Sequence, residues 1–319
     1  MTTSSFASFA QNGEDVVLWR ALGCVPAGRY VDVGANHPTD FSISWAFYQR
    51  DWCGITIEPV AAFAAMHREQ RPRDIVVEAA ITSEPGTPVV LHEIPDTGLS
   101  TLVEDIRSGH EQAGWQAREV LVETRSLDEV LTEAGWRDSD IHFMTVDTEG
   151  TEPDVLRSID LRTWRPWVLV VESTAPLTTR PTYREWEDIV VGADYQFCMF
   201  DGLSRYYVAQ EHAELAPPLS YPAGPLDGYT TLWERQLSGE IDRLREELRR
   251  VADDVVRWRA AALAAWTDAI AAAANWPTQS AEVERLRQEL HAMRDTVSWR
   301  LTKPLRMVRR RVGAAGRGR

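Results

Sequence analysis

Cysteine is scarce in this chain and lysine almost missing. The three cysteines, Cys24, Cys53 and Cys198, are widely spaced, with no CxxC pair and no Cys/His cluster of zinc spacing. That argues against a disulfide scaffold and against a structural zinc. Lys303 is the only lysine, so nearly all positive charge is carried by arginine. Residues Met1–Gln11 lack a basic region followed by an apolar core, so no secretory signal is read and a reducing, cytoplasmic setting is expected. Long apolar runs are missing too. The nearest, Ala260–Trp276, is mostly alanine, broken by Thr267, Asp268 and Asn275, and is too short and weakly apolar to cross a bilayer. A nucleophile elbow, a P-loop and an HExxH pair are all absent.

What remains is the balance of a globular protein with material for a sizeable core: 319 residues, 44% apolar and 26% charged. That length predicts two domains, or one large domain with an appendage. The net charge of −14 is unevenly spread. From Arg294 to Arg319 there are nine basic residues and one acid, Asp295, so the tail carries +8 and the preceding chain −22. An acidic body makes nucleic acid a poor partner.

Up to about Arg235, short β-type runs alternate with helical ones. Arg29–Val33, Gly54–Glu58, Asp74–Ala79, Ile141–Asp147 and Trp167–Glu172 are β-branched and apolar on both faces, as buried parallel strands require. Helices are expected at Ser42–Arg50, Val60–Gln70, Leu127–Ala134, Pro153–Ile159 and Tyr183–Gly192. The pattern predicts an α/β fold with a mostly parallel, doubly wound sheet. Tyr195–Phe200 and Arg205–Ala209 flank the turn Asp201-Gly202-Leu203-Ser204 and predict a closing antiparallel pair. Pro217–Gly228 reads as a domain edge.

After Glu234 the rhythm changes. Ile241, Leu244, Leu248, Val251, Val255 and Trp258 follow heptad spacing; Pro277 interrupts, and Val283, Leu286, Leu290, Met293 and Val297 resume it. A coiled coil that forms a homodimer is expected, against the plainer possibility of an amphipathic helix folded back on the body. The expected divisions are 1–235, 236–298 and 299–319. In the last, Leu301, Leu305, Val308 and Val312 repeat at helical spacing beside Trp299, with Lys303, Arg306 and Arg310 opposite and Pro304 tolerated at a helix start. That pattern suits an anionic membrane surface, against the alternative of a disordered, solubilising end.

Ligands in open α/β sheets sit beyond the carboxyl ends of the strands. The first such end reads Val31-Asp32-Val33-Gly34-Ala35-Asn36. Gly34 permits close approach of backbone and ligand, and Asp32 can accept from an ammonium group. Glu58, 24 residues after Gly34 at the next strand end, can accept from both hydroxyls of a ribose. A dinucleotide loop needs G-x-G-x-x-G. One glycine with an upstream acid fits a cationic donor better, and S-adenosylmethionine carries both an ammonium and a sulfonium. The third strand end reads Asp147-Thr148-Glu149-Gly150-Thr151-Glu152-Pro153-Asp154. Thr151 reads as an N-cap, Pro153 as a first-turn residue and Asp154 as the completion of a capping box. Asp147 and Glu149 precede that cap and are candidates for taking a proton from an alcohol; Glu172 is a weaker third. Two or three such carboxylates can also hold Mg²⁺ through oxygen, although no spacing here makes a metal specific. Gln11, Glu14 and Asp15 are further candidates, against an amphipathic helix with exposed acids. Ser100 and Thr101 are candidates against ordinary turn chemistry, and His142 is read as structural.

The segments FAQNGEDVVLWRAL, YVDVGANHPTDFSISWAFYQRDWCGITIEP, GLSTL, FMTVDTEGTEPDVLRSIDL, WRPWVLVVEST and FDGLSRYYVA occur in this order between about Phe9 and Trp233. Through them the sequence resembles the FkbM-type S-adenosylmethionine-dependent methyltransferases. The resemblance implies a Rossmann-like class I fold and methyl transfer to oxygen on a sugar or natural-product hydroxyl. It departs from the general class I loop at His37-Pro38, where further glycines are usual. SWRLTKPLR is similar to tail segments of bacterial polysaccharide glycosyltransferases, which implies work on a cell-surface glycan at the inner face of the membrane. In this reading Asp32, Gly34, Asn36 and Glu58 hold the donor, and Asp147 or Glu149 serves a glycan or hydroxylated small-molecule acceptor. A non-catalytic coiled-coil scaffold and an O-methyltransferase of a small secondary metabolite remain as alternatives.

Overall fold

The computed structural model of the chain describes residues 6–95, 97–274 and 280–302. Pro277 and the tail from Lys303 onward, with Leu305, Val308 and Val312, lie outside the described residues. The chain divides into two compact units, Met1–Gly239 and Glu240–Arg319.

In chain order the first unit contains β1 (Phe6–Ser8), β2 (Arg29–Val33), β3 (Cys53–Ile57), β4 (Ile75–Val77) and β5 (Ala80–Ile81). There follow β6 (Val89–Glu93), β7 (Arg118–Val122), β8 (Thr124–Arg125), β9 (Phe143–Val146) and β10 (Val168–Glu172). The last three are β11 (Tyr195–Phe200), β12 (Ser204–Ala209) and β13 (Tyr229–Thr231). Seven of them form the central sheet in the order β11-β12-β10-β9-β2-β3-β4. Strands β10, β9, β2, β3 and β4 run parallel, while β12 lies antiparallel to both β10 and β11. The expected parallel sheet and closing antiparallel pair are both present.

Alternation along the strands explains why both faces are covered. Val31, Val33, Ile55, Ile57, Met144 and Val146 pack on one side against Leu131, Leu156 and Trp186. Tyr30, Phe143, Val168 and Val170 pack on the other against Leu18, Leu22, Phe47 and Trp52. The Ser42–Arg50 helix is shorter than expected, Trp45–Tyr48, and the Tyr183–Gly192 helix is split into a 3-10 turn (Tyr183–Glu185) and Glu187–Gly192.

Two details differ in kind. The alternative of an N-terminal helix with exposed acids is excluded, because Glu14 and Asp15 in the helix Glu14–Leu22 are both buried. Asp15 accepts from Ser8 Oγ at 2.7 Å and from Phe9 N at 2.7 Å, so the chain before the helix folds back onto its first turn. The Pro/Gly-rich stretch is no free linker either. Arg20 donates to Pro218 O at 2.7 Å, pairs with Asp227 at 3.0 Å and stacks 3.6 Å over the ring of Tyr221. Strand β13 then pairs in parallel with β1, Phe6 opposite Tyr229.

The helix Leu232–Ala274 comes next in the chain. It is exposed from Trp233 to Ala274. A second helix, Ser280–Asp295, and a short third, Val297–Leu301, follow. Among the described residues no helix is long and apolar enough to cross a membrane.

Candidate functional site

Register decides where the site lies. Val33 is paired with both Ile57 and Val146, and Val146 with Val171, so four parallel strands end nearly level. The residues just beyond, Gly34, Glu58, Asp147 and Glu172, therefore share one edge of the sheet. The chain passes from β2 to β3 and β4 on one side and returns to β9 on the other. The switch in strand order thus falls between β2 and β9, where an open α/β sheet leaves a crevice.

Gly34 sits in that crevice at φ 80°, and a Cβ there would lie 1.7 Å from the Asp147 carbonyl oxygen. No side chain fits, so β2 and β9 close on each other only with glycine at 34. Asp147 N donates to Val33 O at 3.0 Å, and Gly34 N to Ile57 O at 3.0 Å.

Asn36 follows in a left-handed turn, φ 46°. Its N–H donates to Glu58 Oε2 at 2.8 Å and its carbonyl oxygen lies 2.9 Å from His67 Nε2. Burial, then the nearby Arg71 charge, lowers the His67 pKa to about 4, so a neutral imidazole holds this turn. The Asn36 side-chain Oδ1 is buried with no hydrogen-bond partner among the described residues. Gly98 lets the amide sit there, since a Cβ would come within 2.7 Å of Asn36 Nδ2.

Glu58 is buried, and its second oxygen accepts from Val60 N at 2.7 Å. Each oxygen thus takes one backbone N–H and keeps a free lone pair. Burial, partly opposed by those two bonds, pushes its pKa up to about 7. Asp32 is more committed. It accepts from Thr145 Oγ1 at 2.8 Å and from Ser44 Oγ, and Ser44 in turn accepts from the fully buried Arg71 at 2.9 Å.

Two openings meet at Gly34, Asn36, Gly98 and Asp147. The first spans about 590 Å³, open to solvent, and is walled by Ile57, Val60, Phe63, Ile81, Leu91 and Leu102, with Asn36, Glu58, Asp147 and the hydroxyls of Thr97, Ser100, Thr148 and Thr151 as its polar groups. The second is lined by Gln11, Asp32, Ser42, Thr145, Asp147 and Glu149. The first is mainly apolar; the second is mainly polar and richer in acids.

The acids of the second opening perturb one another. Burial and then the Glu152 charge raise Asp147 to about 6. Burial and the Asp147 charge drive Glu149 up to about 9, and Glu172, within hydrogen-bonding reach of Asp147, is pushed up further still. Carboxyls crowded in low dielectric share protons instead of all ionising. Glu149 Oε2 and Glu172 Oε2 are buried without hydrogen-bond partners among the described residues.

The helix Glu152–Arg157 corrects the expected capping box. Thr151 makes no side-chain cap, and Asp154 accepts from Ser83 Oγ instead. Positive φ at Glu149 (52°) and Gly150 (105°) turns the loop so that Thr148 N and Gly150 N converge. Glu152 folds back to accept both, each at 3.0 Å. Among the described residues no group of three His, Cys, Asp or Glu side chains is placed to hold a metal, so the Mg²⁺ expectation gains no site.

The weaker candidates fall into place. Ser100 Oγ accepts from Ile94 N at 3.2 Å, which is turn chemistry, although the residue also lines the first opening. Thr101 donates to Glu149 O at 2.8 Å and so steadies the acidic loop. His142 accepts from Arg29 N at 3.0 Å and packs against Trp167, a structural role. Sequence reasoning missed Phe63, Leu91, Gly98 and Leu102; of these only Gly98, beside the singled-out Ser100, carried a readable signal.

Residues 32–197, just over half of the chain, match the family model described as the methyltransferase FkbM domain. That segment runs from Asp32 through Glu172 and into β11. No curated protein matches the chain.

Proposed function

The chain belongs to the FkbM family of S-adenosylmethionine-dependent methyltransferases, and from that premise we propose that it methylates a hydroxyl oxygen of a sugar, in the assembly of a cell-surface glycan. The observation that carries this reading is the division of the crevice at Gly34 and Asp147 into a mainly apolar opening and a mainly polar one lined by Asp32, Asp147 and Glu149. A polyhydroxylated acceptor suits the second, whose Gln11, Ser42, Asp147 and Glu149 supply acceptors and donors. The sheet order and the cover on both faces support a Rossmann-like, doubly wound class I fold.

The residues of the first opening fit the donor. Glu58 has a lone pair free on each oxygen for the ribose hydroxyls, Asn36 Oδ1 lacks a partner among the described residues, and Phe63, Ile81, Leu91 and Leu102 offer apolar walls to a purine. Asp32 lies on the far side of Gly34, where an ammonium would find a carboxylate. S-adenosylmethionine, when bound, supplies an electrophilic methyl group on a sulfonium.

Asp147 then takes the proton. With a pKa of about 6 it is ionised near neutrality, yet more basic than a solvated aspartate. The acceptor O–H proton passes to its carboxylate as the new oxygen–carbon bond forms and the sulfur–carbon bond breaks. Glu149 and Glu172, kept protonated, add no competing charge, and Glu172 can donate to Asp147 and hold it in place. Enclosure by the two walls supplies the alignment that such an in-line displacement requires.

The helical unit is read as a homodimeric coiled coil, with the chain divided at 1–235, 236–298 and 299–319. The basic tail, on its sequence alone, is read as a contact with an anionic membrane on the inner face. Calorimetric titration of S-adenosylhomocysteine into the full-length protein tests the core of this. One-to-one binding at micromolar affinity is expected, kept by Asp147→Asn while methyl transfer to soluble hydroxylated sugars is lost. No binding up to millimolar ligand would overturn the donor site and favour a scaffold. Transfer to small secondary metabolites alone would overturn the sugar assignment.

A further inference from the structure

The helical unit exposes an unpartnered apolar seam, and its flanking charges specify what covers it. With Ile241 at position a of a heptad, Leu244, Leu248, Val251, Val255 and Trp258 fall alternately at d and a. Val283 lies 42 residues after Ile241, six whole heptads, so Val283, Leu286, Leu290 and Met293 occupy a and d in the same frame. Phase is kept across the segment that contains Pro277. Between the blocks the seam is mostly alanine (Ala262, Ala265, Ala269, Ala272), followed by Trp276 and Gln279, and the larger Leu263 and Ile270 fall just beside it. Grip is therefore concentrated at the two ends. Both blocks are uncovered: Leu248 is 69% exposed and Met293 also 69%.

The positions bordering the seam are sorted by sign. Position g holds Glu240, Glu247, Asp254, Glu282 and Glu289; position e holds Arg245, Arg259, Arg287 and Arg294, with neutral Ala252 between the first two. In a parallel pair each g faces the e of the next heptad on the other chain. In an antiparallel pair g faces g and e faces e. The parallel arrangement sets acid against arginine at each of four crossings, while the antiparallel one sets acid against acid and arginine against arginine. Several of these side chains already pair along their own helix, as Glu240 does with Arg243 and Asp254 with Arg257. Such exposed pairs cost little to rearrange.

We propose that the helical unit associates with a second copy of this chain in parallel and in register. Glu240, Asp254, Glu282 and Glu289 of each copy then face Arg245, Arg259, Arg287 and Arg294 of the other. The proposal rests on the coiled-coil reading and adds its direction, its register and the residues that choose the partner. Like charges would reject an antiparallel pair, and a shift by one heptad would keep only two of the four acid–arginine crossings on each side.

Leu244→Cys and Leu286→Cys, each in full-length Cys24→Ser protein, test this together with sedimentation of the unaltered chain. Expected are a dimer at micromolar concentration and rapid disulfide cross-linking of like positions in both variants, because a parallel in-register pair sets each d residue against itself. A dimer that cross-links at neither position overturns the parallel register and leaves the coiled coil standing. A monomer at tens of micromolar overturns both. As a second arm, Glu240, Asp254, Glu282 and Glu289 are changed together to lysine. This should weaken the dimer by about 100-fold, and adding Glu at Arg245, Arg259, Arg287 and Arg294 should restore it. An antiparallel pair would barely change in the first step, since its g positions would pass from like charge to like charge, and that result would overturn the proposal.

Discussion

The two units break the usual rule of burial in opposite directions. The body hides acids: Glu14, Asp15, Glu58, Glu152 and Glu172 are all buried. The helical unit displays apolar side chains instead, with Trp258 80% exposed. Either choice is unfavourable for a finished molecule in water. A buried carboxyl is tolerable where backbone N–H groups or a ligand answer it, and an exposed seam where another surface covers it. The buried acids of the body thus call for groups brought inside, and the seam of the helix for a surface brought against it.

The largest break in that contrast should come from Gly34→Ala. Its Cβ has no room beside the Asp147 carbonyl and its φ is left-handed, so a loss of at least about 3 kcal/mol is expected. Thermal melting should record that loss and calorimetry the disappearance of S-adenosylhomocysteine binding. Next comes the other unit: Leu248→Asp should raise the dimer dissociation constant by about 100-fold or more. Sedimentation measures this, while affinity for S-adenosylhomocysteine stays unchanged, which separates the two units cleanly.

Glu58→Gln should weaken S-adenosylhomocysteine binding by about 10-fold, the scale of a lost charge-assisted hydrogen bond. Because the Glu58 pKa stands near 7, affinity of the unaltered protein should fall as pH drops below 7, and the variant should lose that dependence. The smallest effect concerns Glu14, whose pKa burial raises from 4.5 to about 8. A raised carboxyl favours the folded state fully below pH 4.5, and this contribution is lost as pH rises through about 8. Glu14→Gln should flatten that slope and leave the protein more stable at pH 9 by about 2 kcal/mol, read from denaturant curves at pH 5 and pH 9.

The sheet was legible because its strands are apolar on both faces, a pattern with few rivals. Arg29–Val33 matched to the residue, and the other four parallel strands differed only at their ends. The region between Ala80 and Arg125 was opaque. Its strands β6 and β7 form a separate two-stranded sheet and carry mixed side chains such as His92, Glu93, Arg118 and Glu119, so no clear period marks them. Gly34, Glu58 and Asp147 could be placed at strand ends by counting. That they share one edge could not, because register across parallel strands joined by long crossovers leaves no local trace. The Thr151 cap was misjudged for a related reason: the sequence offers a good capping residue, but two positive φ angles upstream present other donors, and Glu152 takes them. Burial of Glu14 and Asp15 was equally hidden, since it depends on Ser8 and Phe9 folding back over the helix.

The pairing of β1 with β13 has a consequence for how the protein is made. Phe6 emerges from the ribosome long before its partner Tyr229. At about 5–20 residues per second, the interval is roughly 10–45 s. Throughout it Phe6, Phe9, Val17 and Leu22 lack part of the surface that finally covers them, and Arg20 lacks Asp227. The body therefore completes itself late, when its last strand returns to its first, and the root of the long helix is secured in the same event. A nascent chain stalled before Tyr229 should be the form most exposed to chaperones and proteases.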